Sequence, residues 1–216
     1  MAFCSTSAPG SSRSRLRAAI EAAAKAFASV GAVVEPAAPF LTADILAGLD
    51  GFFQARLLAD FQMLPLERRA KVLPFIATWC KRAENLSAID AARNLALVML
   101  MRERAVVATE PFDFLISPTS PITAYSAEEA TPGNDPERPF EHIAFTAPFN
   151  MSEQPAASIC AGYDTEGLPI GLQIVGHRFD DLGVLCVASI YEMMRPKQRV
   201  WPEPNGPPSD YEALQK

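Results

Sequence analysis

A chain of 216 residues with 49% hydrophobic and 20% charged residues has the composition of a folded globular protein, which excludes a disordered chain. Its formal net charge of −6 argues against a nucleic-acid-binding or anionic-membrane-binding protein, because both need a positively charged surface. Nineteen prolines against eleven glycines favour stiff turns and long connections rather than a helical bundle with short loops.

The sequence divides into a central folded part and two flanking segments. We expect residues 1–14 to be disordered, although an organelle transit peptide is also rich in Ser and Arg and poor in acids. Residues 15–196 are the predicted folded domain, and residues 197–216 form a Pro-rich tail. No apolar stretch reaches the roughly 18 residues of a membrane span, so we predict no membrane partner. The net negative charge likewise predicts no nucleic-acid partner.

Cysteine and histidine spacing gives no sign of a metal site. The four cysteines are far apart, none forms a C-x-x-C pair, and neither histidine has ligand spacing with them. We therefore predict no metal site. Cys160 and Cys186 lie in apolar runs and are predicted to be small buried residues. Cysteines of this kind fit a reducing compartment, so the predicted location is cytoplasmic.

Helices dominate the first half of the chain. The apolar positions of residues 15–29 repeat with the period of a helix, and residues 32–35 are short and β-branched, which predicts a strand. Thr42 is a good N-cap for a second helix. Residues 62–80 predict a short helix broken near Pro74.

A long helix then precedes a change of pattern. Ser87 and Asp90 resemble a capping box at its start, and the helix is predicted to end before Pro111. Its predicted core-facing residues are Leu95, Val98, Met99 and Met101.

Strands dominate the second half. Residues 113–117 form a short apolar run between prolines and predict a buried strand, followed by a long polar loop over residues 118–139. Two β-like runs within residues 156–176 are joined by four residues that include a Gly. They predict an antiparallel hairpin in the sheet interior, with Pro169 at the start of its second strand.

The order of elements indicates an α/β fold. A last helix is predicted from Asp180 or Asp181 to Pro196. Helices early in the chain and strands late favour a mixed β-sheet flanked by helices. The sheet is predicted to be incomplete in this chain, because five helices have three or four strands to cover.

A Ser/His/Asp triad is one hydrolase arrangement that the residues could supply. Its candidates are Ser117, Ser120, Ser126, Asp113 and His142. No G-x-S-x-G turn exposes a nucleophile, and the Gly-rich phosphate-binding loops are absent as well. The residues alone therefore give no complete active site.

Three runs in the last third of the chain resemble the amidase signature family. They are FDFLISPTSPITA, FTAPFNMSEQPAASICAG and LPIGLQIVGHRFDDLGVLCVASIYE. The ordered matches are Phe149, Asn150, Gln154, Pro155, Ala156, Gly162, Leu168, Pro169, Gly171, Leu172, Gln173, Gly176 and Asp181. The resemblance covers roughly residues 15–196 and implies the C-terminal part of the amidase-signature fold.

This sequence departs from the family pattern chiefly by what it lacks. The family's catalytic Lys, cis-Ser and nucleophilic Ser lie in an N-terminal half around a Gly- and Ser-rich signature, which this sequence does not contain. We therefore predict no catalytic residue in this chain. Glu153 stands where the family commonly has Gly, and Cys160 where it commonly has Pro.

The resemblance implies an enzyme that cleaves a linear carboxamide to a carboxylic acid and ammonia or an amine. The nucleophilic Ser would form an acyl-enzyme, with proton relay through the cis-Ser to Lys and no cofactor. The expected partners are a small-molecule amide and either the N-terminal half or a second copy. The alternative is a non-catalytic scaffold or binding subunit derived from the same fold.

The predicted substrate-binding residues lie after the buried strand and in the Pro-Phe-Asn segment. They are Pro118, Thr119, Ser120, Pro121, Phe149 and Asn150. Ligand sites of open α/β sheets gather at the carboxyl ends of strands, where the first four residues are predicted to lie. The family resemblance places the same loop and the Phe149-Asn150 segment near the substrate channel. A structural Pro turn that merely closes the sheet is the competing interpretation.

Overall fold

The computed structural model describes residues 1–3 and 11–200 of the chain. The α-helices are α1 (Ser11–Ser29), α2 (Ala43–Met63), α3 (Leu66–Arg69), α4 (Pro74–Lys81), α5 (Ala88–Thr109), α6 (Ala147–Ser152) and α7 (Asp181–Met194). The strands are β1 (Ala2–Phe3), β2 (Glu35–Pro36), β3 (Leu115–Pro118), β4 (Ala156–Tyr163) and β5 (Pro169–Val175). Short 3-10 helices occur at Arg82–Asn85, Pro132–Asn134 and Glu141–Ile143.

The described strands form one mixed sheet in the order β2-β1-β3-β5-β4. β1 pairs in parallel with β2 and β3, whereas β5 pairs antiparallel with both β3 and β4. Since helices from both halves of the chain pack around this sheet, the predicted α/β fold with a mixed sheet is confirmed.

The hairpin of β4 and β5 is confirmed, and Pro169 begins β5 as predicted. Its expected place in the sheet interior is wrong for β4, which is the last strand of the described sheet. The local sequence specifies which strands a tight turn joins. It carries no information about whether another strand pairs with the second edge of β4.

Alternation along the strands gives the sheet two different faces. On one face, Ile116, Leu172 and Ile174 pack against α1 and α7 through residues such as Phe27 and Tyr191. On the other face, the apolar contacts are concentrated at one end of the strands. They are made by Leu115, Val175, Phe149 and Ala105.

Two of the three predicted caps form side-chain hydrogen bonds. Ser87 Oγ accepts from the Asp90 backbone N–H at 3.1 Å, and the Asp90 carboxylate accepts from the Ser87 N–H, which completes the capping box of α5. Asp180 accepts from the Gly183 N–H at 3.0 Å and caps α7. Thr42 stands at the N-cap of α2 without a side-chain cap bond.

The amino-terminal segment differs from the expectation. Ala2–Phe3 forms β1, and α1 begins at Ser11, within the segment that was expected to be disordered. Residues 4–10 lie outside the described residues, as do residues 201–216 of the predicted tail. The second strand comprises Glu35–Pro36, at the end of the predicted residues 32–35.

Three residues predicted to be buried are exposed. Val98 and Met101 of α5 lie in the core, but Leu95 and Met99 are 44% and 48% exposed. Cys186 is exposed on α7, whereas Cys160 is partly buried. Because apolar residues surround much of these two helices, the periodicity could not show which stripe would be covered within this chain. None of the helices in the described part of the chain is long and apolar enough to span a membrane.

Candidate functional site

The six predicted substrate-binding residues fall in two places. Pro118 ends β3, with Thr119, Ser120 and Pro121 in the loop that follows, while Phe149 and Asn150 lie in α6. Pro118 and Phe149 are buried, and the Phe149 ring packs edge-on against the Phe40 ring, with 6.1 Å between the ring centroids. Asn150 is exposed. The structure therefore brings the loop residues to one strand end and gives Phe149 a core position.

Thr119 continues the sheet beyond β3. Its backbone N–H donates to the Gly171 carbonyl at 2.9 Å, which extends the pairing of β3 with β5 by one residue. Its Oγ1 lies 2.7 Å from Ser158 Oγ on β4, so the two hydroxyls are hydrogen-bonded across β5. Thr119 is partly exposed and Ser158 is exposed.

Ser120 bonds the end of the loop and not the sheet. Its hydroxyl donates to the His142 carbonyl at 3.0 Å and accepts from the Ile122 N–H at 3.4 Å. This arrangement ties the start of the loop to its end. The bond goes to the backbone of His142 and not to its imidazole, so Ser120 and His142 do not form the nucleophile–base pair of a triad.

The other two serines of the possible triad are also engaged elsewhere. Ser117 donates to the Pro118 carbonyl at 3.0 Å and accepts from Gln173. Ser126 donates to the Glu128 carboxylate. Neither serine is hydrogen-bonded to a histidine, and the geometry does not support an independent triad.

Gln173 links the strand end to the loop from inside. Its Nε2 donates to Ser117 Oγ at 3.1 Å and to the Phe145 carbonyl at 2.9 Å, and the residue is only 3% exposed. Ser117 and Ser158 are both register partners of Gln173, so the three side chains share one face of the sheet. This face is polar at the strand end where Thr119 lies.

Gly171 brings the two hydroxyls together. A Cβ at this position would lie 2.6 Å from Thr119 Oγ1 and 3.0 Å from Ser158 Oγ. Those distances are too short for a side chain, so Gly171 leaves the space in which the hydroxyls meet above β5.

A second polar network fixes α6 against the sheet. Gln154 Nε2 donates to Thr109 Oγ1 at 2.9 Å and to the Gly176 carbonyl at 3.0 Å. Ser152 Oγ donates to Gln154 Oε1 at 2.9 Å. These buried bonds join α5, α6 and the end of β5, and they set the position of the Phe149-Asn150 segment.

The long loop lines a small, half-open cavity of about 140 Å³. It is lined by Pro121, Ile122, Pro132, Asp135, Arg138, Glu141 and His142. Burial lowers the pKa of His142 below its ordinary value of 6.5, which favours the neutral imidazole. The cavity is smaller than the roughly 300 Å³ of an ordinary ligand pocket. Within the described residues, no group of three or more His, Cys, Asp or Glu side chains could hold a metal ion.

Ser158 and Gln173 are the site residues that reasoning about function from the sequence missed. A signal existed for each, because a polar side chain interrupts a run of apolar or small residues: Ile-Cys after Ser158, and Leu172 and Ile174 around Gln173. What the sequence did not contain was the pairing of Ser158 with a loop residue 39 positions away.

The family comparison decides the classification. The family model described as Amidase matches residues 12–185, which is more than half of the chain. The chain belongs to the amidase signature family. This finding confirms the resemblance that the three sequence runs indicated.

Similar proteins are longer than this amidase-family chain. A glutamyl-tRNA(Gln) amidotransferase subunit from Thermodesulfovibrio yellowstonii is 37% identical over 95 residues, covering 44% of this chain and 19% of the relative. A bacterial aryl acylamidase of the amidase signature family has a TM-score of 0.71 at 21% identity, covering 91% of this chain and 44% of that one. A 6-aminohexanoate cyclic dimer hydrolase has a TM-score of 0.64 at 25% identity, covering 84% and 42%.

This chain covers only part of each similar protein, so the similarity extends to the matching part alone. The chain spans less than half the length of these solved structures, and its match to the curated relative covers about a fifth of that protein. The structural likeness shows that this amidase-family chain has the fold of their corresponding part. By its name, the curated relative is one component of an amidotransferase.

Proposed function

We propose that this chain supplies the C-terminal portion of an amidase that cleaves a linear carboxamide. The observation that carries the proposal is the family match over residues 12–185, together with the polar sheet face at the strand end. The chain would contribute the wall of the substrate pocket and the scaffold behind it. It would not contribute the reacting groups.

The reaction is the hydrolysis of a C–N bond. A nucleophilic Ser on the catalytic half attacks the carbonyl carbon and forms an acyl-enzyme, and the leaving nitrogen takes a proton that the cis-Ser and Lys relay. Water then cleaves the ester and releases the acid. All three groups belong to the half that carries the family's signature.

Within this chain, we assign different tasks to the predicted pocket residues. Thr119 contacts substrate, because its hydroxyl is partly exposed on the polar face. Pro118, Ser120 and Pro121 shape the loop that holds Thr119, with Ser120 tied to the His142 carbonyl. Phe149 supports the pocket wall from the core, and Asn150 is the exposed contact of α6.

The partner of this chain would be the catalytic half of the amidase. β4 ends the described sheet with one edge unpaired by another strand, and α5 exposes Leu95 and Met99. Unpaired strand edges and exposed apolar residues promote association, so a strand that pairs with β4 and a helix that covers Leu95 and Met99 are the expected contributions of that half. Self-association through the same surfaces is the competing arrangement.

The experiment compares two preparations on a panel of aryl and aliphatic amides. One contains the 216 residues alone, and the other contains them with an amidase-signature catalytic half, either read in frame from the upstream DNA or supplied as a separate chain. Ammonia or aniline release is measured. A catalytic half with its nucleophilic Ser changed to Ala is the control.

Turnover in the second preparation, absent from the control, is the expected result. Turnover by the chain alone that a Ser120→Ala change abolishes would contradict the proposal and revive the independent triad. Absence of turnover in both preparations, despite stable complex formation, would instead favour the non-catalytic scaffold subunit.

A further inference from the structure

Two hydroxyl groups meet on the open face of the sheet. Thr119 follows β3 and Ser158 lies on β4, and their oxygens are 2.7 Å apart above Gly171 of β5. Three different strands therefore combine to place this pair. The contact is not a by-product of neighbouring positions in the sequence.

The pair keeps hydrogen-bonding capacity for a third group. Either hydroxyl can donate to the other, and whichever accepts retains its own proton. The structure gives neither hydroxyl another protein partner among the described residues. A substrate oxygen that accepts a hydrogen bond would thus find a donor whose direction is fixed by the second hydroxyl.

An apolar cluster lies on the same face of the sheet, at the other end of the strands. Leu115 and Val175 pack with Phe149 at the far end of the strands, and the buried Ser117–Gln173 bond separates that cluster from the hydroxyls. A ligand on this face would meet the exposed hydroxyl pair at the strand end, whereas Leu115 and Val175 are 1% exposed and lie out of its reach. This arrangement suits recognition of a polar substituent.

We infer that Thr119 and Ser158 form a specificity pair, which favours amide substrates carrying a hydroxyl or carbonyl oxygen over apolar analogues of the same shape. The inference rests on the proposed amidase function. Thr119 was already a candidate contact from its loop; Ser158 and the selection for a polar substituent follow from the geometry. A hydrogen-bonding site rejects an apolar analogue because its polar groups are left unpaired.

The test uses the amidase assembled with its catalytic half and two matched substrate pairs. Lactamide and isobutyramide have the same shape, with a hydroxyl in one where the other has a methyl group, and their anilides form the second pair. The variants are Thr119→Val, Ser158→Ala and the double variant. Thr165→Val and Ser189→Ala make the same chemical changes at exposed positions on the hairpin turn and α7.

The parent enzyme should prefer the hydroxylated member of each pair by about tenfold in kcat/KM, the effect of one hydrogen bond. Each single variant should bring that ratio near one, and the double variant should add little, because the hydroxyls act as a unit. The two control variants should keep the parent ratio. Melting temperatures of all variants should stay close to that of the parent, since Ser158 is exposed.

Three results would overturn the inference. One is a parent enzyme without preference in either pair, and another is a ratio that survives both substitutions. The third is an equal loss for polar and apolar substrates with a lowered melting temperature, which is the signature of a structural role. Absence of all amide turnover by the parent assembly is a different result, because it rejects the proposed function and removes the inference with it.

Discussion

Gln173 Nε2 lies 3.1 Å from Ser117 Oγ, and this buried bond joins β5 to β3 directly beneath the candidate site. The same nitrogen donates to the Phe145 carbonyl, so one amide group holds a strand end and the returning loop together. Its environment makes the bond costly to lose, because the residue is 3% exposed and water cannot replace the donor.

The first prediction concerns this amide. Gln173→Leu should lower the free energy of unfolding by about 2 kcal/mol, because it leaves the Phe145 carbonyl and one side of the Ser117 hydroxyl without a donor. Urea unfolding followed by circular dichroism measures the change. Gln62→Leu, at an exposed position of α2, is the matched control and should stay within about 0.5 kcal/mol of the parent. Equal effects in the two variants would contradict the assignment.

The second prediction concerns Glu153, which stands where the family commonly has Gly. It ends α6 in the left-handed conformation with a φ of 62°, and its carboxylate lies 2.9 Å from Arg102. That backbone conformation costs a non-glycine residue about 1 kcal/mol, whereas an exposed ion pair contributes about 0.5 kcal/mol or less.

Glu153→Gly should therefore raise the free energy of unfolding by about 0.5 kcal/mol, even though it removes the ion pair. Glu153→Ala removes the ion pair and keeps the strained backbone, so it should be no more stable than the parent. Thermal unfolding of the three proteins side by side distinguishes the contribution of the backbone strain from that of the ion pair. A Gly variant less stable than the Ala variant would show that the left-handed backbone is not the controlling factor.

The third prediction concerns Cys160, which stands where the family commonly has Pro. Its register partner on β5 is Gly171, whose carbonyl accepts from Thr119 next to β3 and so points away from β4. The Cys160 carbonyl accepts from the Arg195 side chain and not from β5. The backbone groups of Cys160 therefore point away from β5, at the edge of the described sheet, where a missing N–H is tolerated.

Cys160→Pro should lower the free energy of unfolding by less than about 1 kcal/mol. Ala157→Pro is the matched control, because strand alternation turns its N–H toward Ile174 of β5. Removing that bond leaves the carbonyl of the buried Ile174 without its donor and should cost about 2 kcal/mol. If both proline variants unfold at the same urea concentration, the assigned direction of the Cys160 backbone is wrong.

The fourth prediction is a pH dependence caused by His142. Burial lowers its pKa in the folded protein below the ordinary value of 6.5, so below that pH the unfolded chain binds a proton that the folded chain does not. Stability contributed by the neutral imidazole is thus present above pH 6.5. It is lost as the pH falls from 6.5 toward the lowered pKa.

Urea midpoints at pH 7.5, 6.5 and 5.5 measure this loss. In His142→Gln the fall between pH 6.5 and 5.5 should be smaller than in the parent, and the difference between the two proteins isolates the histidine from other titrating groups. An identical slope in the His142 variant would show that its burial does not control stability.

Local signals in the sequence accounted for most of the secondary structure. The capping box at Ser87, the cap at Asp180 and the proline at the start of β5 all act through atoms within a few residues, so their patterns predict the observed boundaries. The alternating apolar runs of β4 and β5 likewise predicted an antiparallel hairpin. The family motifs extended these local predictions to the fold.

Burial and sheet position were predicted less well. Leu95 and Met99 have helical spacing with core residues, yet they are exposed, and β4 lies at an end of the described sheet. Periodicity reports which residues share a face of an element. It does not report whether another element covers that face, because coverage depends on segments distant in the sequence or on another chain.

Patterns in the sequence were sufficient to predict the long helices, the hairpin, the family and the loop that contains Thr119. The different directions of Thr119 and Ser120 are evident in the folded chain alone, since one hydroxyl meets Ser158 on the open sheet face while the other bonds the His142 carbonyl. Adjacent residues in an irregular loop have no fixed period that would predict their directions. Those directions are set by strand register and by Gly171, which lies 52 positions beyond Thr119 and leaves the space where the hydroxyls meet.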